Sequence, residues 1–157
     1  MTLFFFLKWL HVIGATVLLG TGAGIAFFML RAHATRDPKI IAAVAAIVVL
    51  ADYLFTLSAV IVQPVTGVWL AYVAGYPLMS GWIVASIGLY FFTGAFWVPV
   101  VFMQKKMRDL ARKAAEENAP LPEEYFRLYR RWFAFGFPAF IAVLTIFWLM
   151  IARPVIS

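Results

Sequence analysis

Residues 8–33, KWLHVIGATVLLGTGAGIAFFMLRAH, decide the fold. No charge occurs from Val12 to Leu30. About 20 such residues cross a bilayer core of about 30 Å, so the stretch reads as a transmembrane helix. A cleaved signal peptide has a shorter apolar run and a small-residue cleavage site, whereas this run is long and ends at Arg31 and Arg36. At about 100° per residue, His11, Gly14, Ala15, Leu18, Gly22, Ile25, Met29 and His33 share one face. The two histidines stand at opposite ends of that stripe, roughly 33 Å apart, so each belongs to a different membrane surface. Gly14 and Ala15, one turn from His11, leave a shallow surface for a flat ligand. Gly20 and Gly24, on the other face, have the small-xxx-small spacing that lets helices approach closely and suits a homo-oligomer.

Composition agrees. The 157 residues are 65% hydrophobic, 18% aromatic and 13% charged, with mean hydropathy +0.94, far from the soluble average. One all-α integral membrane domain, residues 1–157, follows, with the lipid bilayer as its first partner. The absence of cysteine excludes disulfides, cysteine-ligated iron–sulfur clusters and thiol catalysis. A net charge of +6 would suggest nucleic acid in a soluble protein. Here the basic residues cluster between apolar spans, so no nucleic-acid role is expected.

Four spans are predicted, at about residues 8–30, 46–75, 81–103 and 132–152. Asp37-Pro38 suits a helix start, and Pro64, flanked by Gln63, Thr66 and Gly67, predicts a kink in the second span, with another at Pro99 in the third. QKKMRDLARKAAEEN carries the third helix into water before a break at Asn118, and Pro122-Glu123-Glu124 starts the fourth. The expected architecture is a four-transmembrane-helix bundle with helices 3 and 4 extended into the cytoplasm. The links after the first and third spans hold eleven Lys or Arg, against Lys8 and Arg153 on the other side. By the positive-inside rule both termini lie outside, near His11.

Three stretches, the opening KWLHVIGATVLLGTGAGIAFFMLRAH, LADYLFTLSAVIVQPVTGVWLA and FAFGFPAFIAVLTIFWLM, resemble the bacterial integral membrane family catalogued as domain of unknown function 2269. More distantly, the order Lys8, His11, Gly20, Arg31, His33 is similar to the first helix of HemJ-type protoporphyrinogen oxidases and of CopD-like copper-resistance proteins. The HemJ pattern has a lysine in its third helix. The corresponding GWIVASIGLYFF has none. The resemblance implies a multi-pass protein of the bacterial inner membrane and makes His11 a haem-binding position.

Two polar sites emerge. At the outer end His11 can meet Gln63, Thr66, Tyr72, Met79, Trp82 or Met150. A histidine in a span is costly unless it finds a partner, so a hydrogen-bonded packing residue is one reading and a ligand the other. As a ligand it would hold haem b, with Gly14, Ala15, Gln63 and Trp82 around the macrocycle and a redox or electron-transfer role. The alternative is copper on His11, Met79 and Met150. A third reading is a non-catalytic subunit of a larger membrane complex. At the inner end Asp52, the single acid in any span, is expected to pair with Arg31 or to accept from His33 or Tyr53. It is either a structural ion pair or a proton carrier. Phosphate loops, HExxH and nucleophile elbows are absent, and GTGAGIAF lies inside a span with no preceding strand, so hydrolytic, phosphoryl-transfer and dinucleotide chemistry have no visible machinery.

Overall fold

The computed structural model describes residues 2–156. Five helices form four crossings: α1 (Thr2–Thr35), α2 (Pro38–Ala51), α3 (Leu57–Val73), α4 (Gly81–Glu116) and α5 (Glu123–Ala152). A π-helical turn, Asp52–Thr56, joins α2 to α3, and each of the four crossing segments is long and apolar enough to span a membrane. Phe5, Phe27, Ile47, Ile61, Phe91, Ile141 and many other large apolar side chains face outward. In water that surface would drive aggregation; in lipid it is the expected exterior.

The chain punctuates itself as its residues dictate. Asp37 caps α2, accepting from the Lys39 amide at 2.8 Å, with Pro38 in the first turn. Gly75, at φ 74°, closes α3, and the Tyr76 amide then reaches back to the Ala71 carbonyl at 2.9 Å. Asn118 does the same for α4 at φ 48°, with the Ala119 amide on Ala114. Two ends result. The α1–α2 and α4–α5 links share the basic end, while both termini and the α3–α4 turn lie at the other, here the terminal end.

The second crossing departs from expectation. Its irregularity falls at Asp52–Thr56, about a dozen residues before Pro64, which sits inside a continuous α3. Pro64 has no amide hydrogen, so the carbonyl four residues earlier, Val60, loses its helical donor. The Tyr90 hydroxyl of α4 donates to that carbonyl at 2.7 Å. A polar group that lipid cannot satisfy is thus paired from the neighbouring helix. Pro99 likewise leaves α4 as one helix.

Packing is uneven. The core, with Met29, Ile41, Ala45, Val48, Met107, Ala111, Tyr125 and Trp132 at its centre, fills the basic end. There α4 and α5 run on past the apolar region as a packed hairpin, tied by Lys106–Glu124 and, within α4, by Arg112–Glu116 at 2.9 Å. The hydrogen bond from Lys106 holds the Glu124 carboxyl below the usual carboxylate range. Toward the terminal end the helices associate two by two, α1 with α3 and α4 with α5, while α3 and α4 share little contact.

Candidate functional site

His11 is half-buried on α1 against α3. Its Nδ1 lies 2.9 Å from Thr66 Oγ1. The Thr66 hydroxyl hydrogen already points to a backbone carbonyl of its own helix, Val62 at 2.8 Å or Gln63 at 3.2 Å. With its hydroxyl donating to its own helix, Thr66 accepts from the imidazole in the tautomer that carries the proton on Nδ1 and leaves the Nε2 lone pair free. Gln63 adds a second tie by donating to the His11 carbonyl at 2.8 Å. The ring lies over Gly67, where a methyl group would come within 3.1 Å of Cε1. Glycine there is what lets the imidazole sit on the α3 backbone.

The surface expected beneath His11 is filled. A Cβ on Gly14 would overlap the Gln63 amide, so Gly14 is small because Gln63 packs on it, and no flat ligand lies between Gly14 and α3. Ala15 beside it is half-buried. Trp82 belongs elsewhere, edge-on to Tyr76, whose ring and hydroxyl also receive Arg153. Met79 is 84% exposed in the α3–α4 turn. Among the described residues no hydrogen-bond contact joins Met79, Met150 or Tyr72 to His11. Among those residues no group of three or more His, Cys, Asp or Glu side chains is placed to hold a metal ion.

Asp52 also differs from expectation. Its carboxylate is 4% exposed and meets α4 rather than α1. Trp97 Nε1 approaches Oδ1 at 3.5 Å. The orientation of the Gln104 amide that satisfies both its neighbours has Nε2 donating to Asp52 Oδ2 and Oε1 accepting from Trp132 Nε1 at 3.1 Å. The expected partners are absent. Arg31 is exposed, because the core-facing positions beside it are Met29 and Ala32, and Tyr53 is exposed as well. His33 turns to α5, where its ring stacks on Tyr129 at 3.5 Å and 6° and its Nδ1 lies 3.3 Å from the Tyr125 hydroxyl.

A model of the family described as predicted integral membrane protein (DUF2269) matches residues 5–154, nearly the whole chain. The chain belongs to the DUF2269 family. No curated protein and no solved structure matches it. In this DUF2269 protein the sequence stripe brings His11 to Thr66 and Gln63, but not to Trp82 or the methionines. Gly20 has no neighbour within 4 Å of where its Cβ would be, and Gly24 meets only Phe28 of its own helix. That face is unpacked within the chain. Sequence reasoning did not find Gln104, Trp97, Trp132, Tyr129 or Tyr90. Gln104 carried the clearest signal, an uncharged amide between an apolar span and the first lysines. Tyr90 was recoverable by asking who satisfies the carbonyl that Pro64 orphans.

Proposed function

We propose that this DUF2269 protein is a small haem-binding membrane protein with a redox role, in which His11 ligates iron through Nε2. The observation that carries the reading is the pinned tautomer. A metal-binding histidine characteristically gives its other ring N–H to a fixed acceptor, which orients the ring and leaves the second nitrogen free. His11 has that arrangement at the terminal end of a membrane span, between α1 and α3. Haem supplies, when bound, an iron centre that exchanges one electron. The chain supplies the imidazole, its orientation through Thr66, and an apolar surround. The exposure of Met79 favours haem over copper.

The absorption spectrum of purified protein supplemented with haem is the test. A Soret band that His11→Ala abolishes or shifts and that His33→Ala leaves in place is expected. Survival after His11→Ala refutes the ligand assignment, and bound copper without a Soret band favours the copper reading. We also propose a bacterial inner-membrane location with both termini outside, from the eleven-to-two distribution of Lys and Arg. The natural chain has no cysteine, so single cysteines near residue 113 and near residue 78 report cleanly. Labelling from outside is expected at 78 alone, and labelling at 113 would invert the orientation.

A further inference from the structure

Asp52 is the one acid within the apolar spans, and its surroundings hold no counter-charge. The groups that face it are the Thr56 hydroxyl, the Trp97 indole and the Gln104 amide, all neutral. Among the described residues no Lys, Arg or His lies within ion-pair distance of it. From α1, the segment Val12 to Leu30 contributes no ionisable group. From α4, Lys105 is half-buried next to Gln104 without reaching Asp52, and Arg108 pairs with Asp109 at 2.7 Å. From α5, Arg130 and Arg131 are exposed, leaving Tyr129 and Tyr125 as the buried titratable groups. An ionised carboxylate without a cation in such a place is costly, whereas a carboxylic acid is not.

Two further observations bear on how a proton would come and go. The Tyr129 hydroxyl is buried, its residue at 8% exposure, and has no partner among the described residues. Thr56 follows Asp52 within the same π turn, a local widening that recurs at functional positions. Tyr129 lies on the other side. It stacks on His33 and packs at 5.8 Å from Trp132, whose indole donates to Gln104 and so reaches Asp52. His33, Tyr129, Trp132 and Gln104 thus form one column from the basic end to the carboxyl.

We propose that Asp52 is an exchangeable proton-binding site inside the membrane, loaded from water at the basic end. A proton leaves water, an O–H bond forms on a carboxylate oxygen of Asp52, and the reverse step returns it; no electron moves. The site does not depend on haem at His11.

Infrared spectroscopy of the full chain in phosphatidylcholine vesicles tests it, with carbon-13 aspartate identifying the band. Asp37 and Asp109, the other two aspartates, lie outside the spans. Expected at neutral pH is a carboxylic-acid C=O band that carries the isotope shift, disappears in Asp52→Asn, moves in Gln104→Leu and downshifts in heavy water. Absence of an isotope-shifted acid band would show Asp52 ionised and overturn the proposal, a reading that holds even if Asp52→Asn does not fold. A band that never exchanges would make Asp52 a fixed hydrogen-bonding group and overturn the proposal.

Discussion

Tyr90→Phe isolates one hydrogen bond whose partner is defined by covalent chemistry. Pro64 cannot donate, the Val60 carbonyl is the group left over, and the Tyr90 hydroxyl at 2.7 Å pairs with it across the α3–α4 contact. Deleting the hydroxyl keeps the ring but orphans a half-buried carbonyl at membrane depth, a cost of about 1–3 kcal/mol. Pro64→Ala restores the backbone donor, so the same deletion on that background should cost only the lost cross-helix bond, about 0.5–1.5 kcal/mol or less. The coupling between the two substitutions is then expected at about 0.5–1.5 kcal/mol, within the range for residues that share a partner. Reversible unfolding of the four proteins in mixed micelles, followed by circular dichroism, measures it. Equal costs of Tyr90→Phe in the native chain and in the Pro64→Ala background would refute the reasoning, since the proline would then not be what makes the hydroxyl matter.

Thr66→Val removes the acceptor that fixes the His11 tautomer and should weaken haem binding by roughly 10–100-fold, as loss of an outer partner of a ligating histidine does, with Thr66→Ser restoring it; a haem titration followed at the Soret band decides, and wild-type affinity in Thr66→Val would sink the orientation argument. Gly14→Ala places a methyl group on the Gln63 amide, displacing it from the His11 carbonyl. The Gln63 amide is the far end of a flexible side chain, so the expected cost is that of the lost hydrogen bond, about 0.5–1.5 kcal/mol, and Gln63→Ala should relieve the clash, so that an additive double variant would count against the contact.

How much of this was legible depended on which kind of signal carried it. The four crossings, the Asp37-Pro38 start, the break at Asn118 and the restart at Pro122 were readable, because apolar length and capping chemistry are local properties of the chain. His11, Thr66 and Gln63 were placed at one end by counting residues along two helices, and they do meet. The Asp52 partners were not readable. Helical spacing says that Arg31 and Asp52 lie at similar depth, but not that Met29 and Ala32 claim the core-facing positions of α1 while Arg31 faces out. The π turn was equally hidden: Pro64 is a strong local signal for irregularity, yet the widening lies about a dozen residues earlier, at Asp52–Thr56, where no proline or glycine marks it. Rotation of one helix against another is a tertiary outcome, and composition does not encode it.

The uneven packing bears on where a cofactor would act. At the basic end a continuous core reaches from Met29 through Met107 to Trp132, and both long extensions brace it. At the terminal end Gly14, Gln63 and Thr66 are buried between α1 and α3, and Ile83, Ala142 and Leu149 on α4 and α5, without such a core joining the two pairs. His11 lies in that looser half. A large flat apolar ligand there would add buried surface where the chain has least of its own, and a group that binds only the folded state stabilises it in proportion to the logarithm of its concentration over Kd. On the proposed reading, haem should therefore protect the terminal halves of α1 and α3 from hydrogen exchange while leaving the basic end, already closed, unchanged. Protection confined to the basic end would place the ligand away from His11, on the side of the bundle where His33 stacks against Tyr129.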